Sequence, residues 1–174
     1  IRARRWGNVD LPIQVGETLL VNKNSTVHEL SNGDLVKVTE VGDESKTVPV
    51  HIRGVKGEHR VELRFRDITA AFRIGDGSVT HVHCLVLENL LDSPYRELSP
   101  QEQRALLVDF RKRHPDLNPK SDEFRRVIRV DPFFNALQVK YGYAMTCHKA
   151  QGGEWNTAIV DFEVNERSDN AAFF

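Results

Sequence analysis

The sequence predicts a mixed α/β protein, and three segments with different residue patterns support that prediction. Residues 32–88 alternate apolar and polar side chains in short runs, which is typical of antiparallel strands. Residues 89–137 show helical spacing, and the last part of the chain places a polar loop between two apolar runs. We therefore expect a small antiparallel β-barrel, a helical segment and part of a parallel α/β sheet.

Composition describes an ordinary globular chain and excludes several classes of function. The 174 residues are 40% hydrophobic and 28% charged with a net charge of −1, so no whole-chain attraction to polyanions is expected. Two cysteines, Cys84 and Cys147, supply neither a disulfide framework nor a paired-cysteine metal site, which favours a reducing cytoplasmic compartment. No apolar run reaches the roughly 18 residues of a membrane helix. His51, His81 and His83 lack a fourth ligand at metal spacing, so no metal site is predicted.

The strands of residues 32–88 are expected to bury one face in a barrel of SH3-like or OB-like type. Val61, Leu63 and Phe65 share one face of their strand. Turn signals separate the runs at Gly42-Asp43, Gly54 to Gly57 and Gly75 to Gly77. The opposite face of the same strand carries Arg60, Glu62, Arg64 and Arg66. This row has two interpretations, a nucleic-acid contact or a solvated face with cross-strand salt bridges.

Two helices are predicted in the segment after the barrel. Ser99, Pro100 and Glu102 form a capping sequence at the start of an apolar stripe, and the basic run at residues 111–114 complements the other end of that helix. A second helix is expected within Ser121 to Arg129, and Asp131-Pro132 predicts the start of a short third one.

The stretch "YAMTCHKAQGGEWNTAIVDF", residues 143–162, carries the chemistry. "YAMT" and "TAIVDF" favour buried strands of a parallel sheet, and the carboxyl end of such a strand is where α/β sheets bind ligands. The loop between them has adjacent glycines that allow close approach of a ligand. We expect phosphate contacts from Thr146, His148 and Lys149, a bridging Gln151, and a ribose contact from Glu154. An ordinary polar connection between a strand and a helix is the alternative.

Residues 146–155, "TCHKAQGGEW", resemble motif V of superfamily 1 DNA helicases of the RecD-like branch. The upstream stretch "VGETLLVNKNSTVHELSNGDLVKV" is similar to the part of that family that leads from the second RecA-like domain into an inserted SH3-like barrel. The resemblance implies that residues 1–31 and 138–174 are part of RecA-like helicase domain 2, the UvrD-like C-terminal helicase domain. Residues 32–88 would then be the inserted SH3-like β-barrel, and 89–137 a helical insertion.

The resemblance also implies roles for particular residues in a C-terminal fragment of an ATP-dependent DNA helicase. Gly152 and Glu154, with Gln151, would face ATP, while Thr146, His148 and Lys149 would hold single-stranded DNA. Arg60, Arg64 and Arg66 would extend the DNA contact over the barrel.

The chain lacks the G-x-x-x-x-G-K-[ST] phosphate loop that such a motor needs. ATP and Mg²⁺ are therefore expected as cofactors of the full-length protein, with none bound to this segment alone, which should be inactive as an ATPase. The phosphate loop is expected in an N-terminal RecA-like motor domain of the same protein, before Ile1, and an arginine finger after Phe174. The competing hypothesis is a non-catalytic β-barrel module that binds nucleic acid or protein.

Overall fold

A curled antiparallel sheet with a half-barrel shape organises the chain. The computed structural model describes residues 11–54, 57–150, 157, 159 and 160. Its strands are β1 Thr18–Val21, β2 Leu35–Val41, β3 Lys46–Gly54, β4 Gly57–Arg73, β5 Val79–Leu87 and β6 Val139–Tyr141. The strand order is β3-β4-β2-β1-β6, with β5 also paired to β4. A 3₁₀ turn at Glu88–Leu90 follows β5, and the helices are α1 Pro100–Arg113, α2 Asp122–Val130 and α3 Cys147–Ala150.

The predicted mixed α/β class is confirmed, and the strands expected to form a small antiparallel barrel form a half-barrel sheet. A closed barrel of SH3-like or OB-like type and a RecA-like parallel domain remain predictions. All strand pairs of the sheet are antiparallel, and an isolated parallel bridge joins Val86 to Leu137. Strands β1 and β6, which lie in the segments expected to form the parallel domain, pair with the half-barrel instead. Leu19 of β1 lies opposite Val36 on one side and opposite Tyr141 on the other.

The predicted strand at "YAMT" is wrong. Strand β6 ends at Tyr141, a turn follows, and Ala144 and Thr146 are exposed in an irregular segment. Four apolar residues are too few to distinguish a buried strand from a packed loop by periodicity. Of the second predicted strand, "TAIVDF", the structure describes Thr157, Ile159 and Val160, which are exposed and outside any strand; its other residues lie outside the described part.

Strand β4 is long enough to serve two hydrophobic cores on opposite faces of the sheet. Its first half buries Leu63 and Phe65 in a core shared with β3 and α1. Its second half buries Ile68 and Ala70 in a core shared with β1, β2, β5 and β6. The buried face therefore switches between Phe65 and Arg66, and both of these neighbours are buried. The prediction of a single buried face failed for this reason.

Both predicted helix starts are confirmed. Ser99 and Glu102 form a reciprocal capping box at the start of α1, in which Glu102 N donates to Ser99 Oγ at 3.2 Å and Ser99 N to Glu102 Oε2 at 2.8 Å. Ser121 Oγ accepts from Phe124 N at 3.1 Å at the start of α2. The predicted third helix is wrong, because residues 132–135 form a turn, in which Phe134 N donates to the Asp131 carboxylate at 2.7 Å.

Candidate nucleic-acid interface

The three residues predicted to contact phosphate lie at the start of the short helix α3. They are Thr146, His148 and Lys149. Lys149 N and Ala150 N both donate to Thr146 O, at 2.9 and 3.1 Å, so Thr146 begins the helical turn. Thr146 and His148 are exposed, and Lys149 is half-buried. The predicted nucleotide contacts Gln151, Gly152 and Glu154, and also Trp155, lie outside the described residues.

Hydrogen bonds from the half-barrel hold the segment that leads into this helix. Gly142 N donates to Thr18 O at 2.8 Å, and a Cβ at Gly142 would lie 3.0 Å from that oxygen, so a larger residue there would have to displace the Thr18 backbone by a few tenths of an ångström. Tyr143 Oη donates to Glu17 Oε1 at 2.5 Å, and Glu17 is only 1% exposed. Tyr141 Oη donates to Pro12 O at 2.7 Å. The position of Thr146 is thus fixed from the strand side.

Asn22 joins the helix to two other segments of the chain. It follows β1 directly, and its Oδ1 accepts from Lys149 Nζ at 2.8 Å. Its Nδ2 donates to Arg96 O. Since an ammonium only donates and a carbonyl only accepts, these two partners fix the orientation of the amide. No role for Asn22 is predicted from the sequence, although the residue stands directly after the apolar run of the upstream stretch.

These segments enclose an open cleft of about 460 Å³ lined by three cationic side chains, those of Arg96, Lys140 and Lys149. Asp92 is the carboxylate residue in its lining, so positive charge exceeds negative charge there. Lys140 Nζ donates to Ser93 O at 2.5 Å, which fixes its ammonium at the edge of the cleft.

Electrostatics in the cleft favour an anionic ligand. Partial burial, with a smaller effect of the Arg96 charge, lowers the pKa of Lys149. Burial also lowers the pKa of Lys140, and the nearby Asp92 opposes that shift. An anion between these groups would offset the unfavourable proximity of like charges and the loss of hydration, because it stabilises the protonated forms.

The three arginines of β4 differ in exposure. Arg60 and Arg64 are exposed on one face, and Arg60 Nη2 lies 2.8 Å from Glu62 Oε1, an ion pair within the strand. Arg66 is 5% exposed, and its Nε donates to Glu88 Oε1 at 2.5 Å. The placement of Arg66 on an accessible basic face is therefore wrong, because the switch of buried face turns its side chain inward. Neither Arg60 nor Arg64 lines the cleft.

Neither a metal site nor a membrane-spanning helix is found in the part of the chain that the structure describes. Within it, no group of three or more histidine, cysteine or acidic residues is placed to hold a metal ion. Among the described helices, none has the length and apolar character needed to cross a membrane.

Comparison with known proteins adds no assignment, because no family model and no curated protein matches the chain. The hydroxyl of Thr146, the ammonium groups of Lys140 and Lys149 and the guanidinium of Arg96 line one cleft and can donate several charge-assisted hydrogen bonds to phosphate oxygens. His148 is exposed but does not line this cleft.

Proposed function

We propose that this chain is a C-terminal segment of an ATP-dependent DNA helicase of the superfamily 1, RecD-like type, and that its cationic cleft holds the phosphates of single-stranded DNA. One observation carries the proposal. Lys149 of the "TCHKAQGGEW" run donates to Asn22 of the upstream stretch, so the two sequence runs that resemble the helicase family meet at the cleft although 127 residues separate these two side chains.

The described donors support a phosphate contact that is independent of base sequence. Lys149 and Lys140 each use one N–H in the protein, which leaves donors on both ammonium groups for a ligand. Thr146 is exposed and lines the same cleft. His148 precedes Lys149 in sequence and is exposed, but it does not line the cleft. Neutralisation of strand phosphates by such groups supplies affinity that falls as salt rises.

Coupling to ATP is the second part of the proposal. Gln151, Gly152 and Glu154 follow Lys149 on the same loop, so a nucleotide held by these residues would bias the strand contact made by their neighbours. The described residues contain neither a glycine-rich phosphate cradle nor a cluster of metal ligands. ATP and Mg²⁺ would therefore be held chiefly by the N-terminal RecA-like motor domain of the same protein.

Titration of a fluorescent oligo-dT strand with the 174-residue chain tests the strand contact. We expect binding at low salt and weaker binding for Lys149→Ala, with a shallower dependence of affinity on salt because about one phosphate contact is lost. Arg125→Ala is the matched control, since Arg125 is an exposed cation on α2 that pairs with the neighbouring Asp122 at 2.9 Å and does not line the cleft. Equal salt slopes for Lys149→Ala and Arg125→Ala would contradict the assignment.

A non-catalytic barrel module that binds nucleic acid or protein is the second candidate, favoured by the membership of β1 and β6 in the antiparallel half-barrel. The two candidates differ in their response to nucleotide. In the protein that includes the motor domain, a helicase changes its affinity for the strand when a non-hydrolysable ATP analogue is added, and Glu154→Ala raises the ATP concentration required for unwinding. A binding module shows neither effect.

A further inference from the structure

A short segment between β5 and α1 contributes to the cleft, and its tyrosine has no role in the function proposed above. It consists of Ser93, Pro94, Tyr95 and Arg96, and we refer to it as the 93–96 segment. Tyr95 exposes 71% of its surface while lining the cleft. The ring therefore offers an accessible apolar face in a cleft whose side chains favour anions.

The 93–96 segment is held in place at both ends. Ser93 O accepts from Lys140 Nζ at 2.5 Å, and Arg96 O accepts from Asn22 Nδ2. Between them, Tyr95 N donates to Ser93 Oγ at 3.2 Å, and the ring of Pro94 fixes its own φ. The backbone under Tyr95 is thus ordered before any ligand arrives, which reduces the entropy lost on binding.

The side chains around Tyr95 indicate which ligand suits the ring. Lys149 and Arg96 lie in the same cleft lining, and Asn22 links Lys149 to the backbone of Arg96. Single-stranded nucleic acid presents alternating anionic phosphates and flat bases, and proteins bind it with cationic grooves that carry aromatic stacking platforms. An exposed tyrosine beside three cations has this composition.

We infer that Tyr95 stacks on a base of the bound single strand while Arg96 and Lys149 contact its phosphates, with Asn22 as the residue that positions both elements. This inference rests on the proposed single-strand contact and adds a base contact to it. Stacking on a tyrosine ring does not read base identity, since every base has a π face, so the contact suits a protein that moves along any sequence.

Two variants and two probes separate stacking from charge. The 174-residue chain, Tyr95→Ala and Tyr95→Phe are titrated with fluorescent oligo-dT and with a strand of equal length that carries abasic sites throughout. We expect Tyr95→Ala to bind oligo-dT about five-fold or more weakly, since stacking on one base is worth at least ~1 kcal/mol. Tyr95→Phe keeps the ring and should bind as the unmodified chain does. The abasic strand should bind all three proteins equally.

Other binding results would exclude base stacking by Tyr95, the proposed strand contact, or both. If Tyr95→Ala binds oligo-dT normally while Lys149→Ala binds it weakly, the stacking inference fails and the proposed strand contact stands. If Tyr95→Ala weakens the abasic strand as much as oligo-dT, the ring acts on the fold of the cleft, and stacking is again excluded. If the unmodified chain binds neither probe at low salt, the strand contact and the stacking inference both fail.

Discussion

Arg66 and Glu88 form a charged pair inside the protein where β4 changes its buried face. Both side chains are almost fully buried, and Glu88 Oε2 also accepts from Ser45 Oγ at 2.6 Å, while Arg66 Nη1 donates to Gly42 O at 2.8 Å. Removing one partner leaves the other charge buried without compensation. We expect Arg66→Met to lower the free energy of unfolding by about 3–5 kcal/mol.

Urea denaturation measures this effect, and Arg60→Met is its matched control on the same strand. Arg60 pairs with Glu62 in solvent, where an ion pair contributes only about 0–1 kcal/mol. Similar midpoints for the two variants would show that the buried pair contributes no more than the exposed one.

The two thiols differ in accessibility and therefore in reactivity. Burial, with a smaller effect of the Asp67 charge, raises the pKa of Cys84 to about 12, and Cys147 is exposed. The thiolate is the reactive form, so iodoacetamide at pH 8 should modify Cys147 and leave Cys84 intact until the protein unfolds. Mass spectrometry of the native and denatured protein checks this, and Cys147→Ser should take up no label while folded. Native labelling of Cys84 would contradict the packing of the core around it.

Local signals decided which elements could be predicted. The capping serines of α1 and α2 and the turn at Gly77 follow from residues adjacent in sequence, and Gly77 indeed has a φ of 83°. The pairing of β1 with β6 and the switch of buried face in β4 depend on contacts between distant parts of the chain. No periodicity within a single segment encodes such contacts, so the assignment of "YAMT" to a strand and of Arg66 to the surface both failed.

The N-cap of α1 allows a quantitative test of one such local signal. Ser99→Ala removes the acceptor of Glu102 N, and we expect a loss of about 1 kcal/mol in the free energy of unfolding. Ser99→Asp restores a good capping group and should recover most of that loss. Thermal or urea unfolding of the three proteins supplies the comparison, and an alanine variant as stable as the aspartate variant would show that the cap contributes little.

At the scale of the whole molecule, the cleft was only partly predictable. The sequence predicted ligand contacts from Thr146, His148 and Lys149 because these residues lie together in one motif. It could not predict contacts from Asn22, Lys140 or Tyr95, since these residues reach the cleft only through the packing of β1, β6 and the 93–96 segment. Tyr95 carries no sequence signal of its own, because it belongs to no motif and to no periodic apolar run.

Acid stability depends on a charged cluster that ties α1 to the 132–135 turn. Arg113 contacts Asp131 through two nitrogens, at 2.5 and 2.8 Å, and also Asp109 at 2.8 Å. Burial of Asp131 acts to raise its pKa, but hydrogen bonds from Arg113, Phe134 N and His114 outweigh it, so the pKa of Asp131 is lowered from the usual 3.8. The Asp131 carboxylate therefore binds a proton more weakly in the native state than in the unfolded state.

The resulting stabilisation is fully present above pH 3.8 and is lost as the pH falls through the lowered native value. We expect Asp131→Asn to be less stable than the unmodified chain at pH 7, because the substitution leaves Arg113 without its main partner. This difference in stability should become smaller as the pH falls below about 4, where the carboxylate of the unmodified chain also loses its charge. Urea midpoints measured from pH 7 down to pH 2 follow the deficit. The exposed Asp116→Asn serves as control and should track the unmodified chain. A deficit for Asp131→Asn that stays constant across this range would mean that the Asp131 carboxylate is not linked to folding.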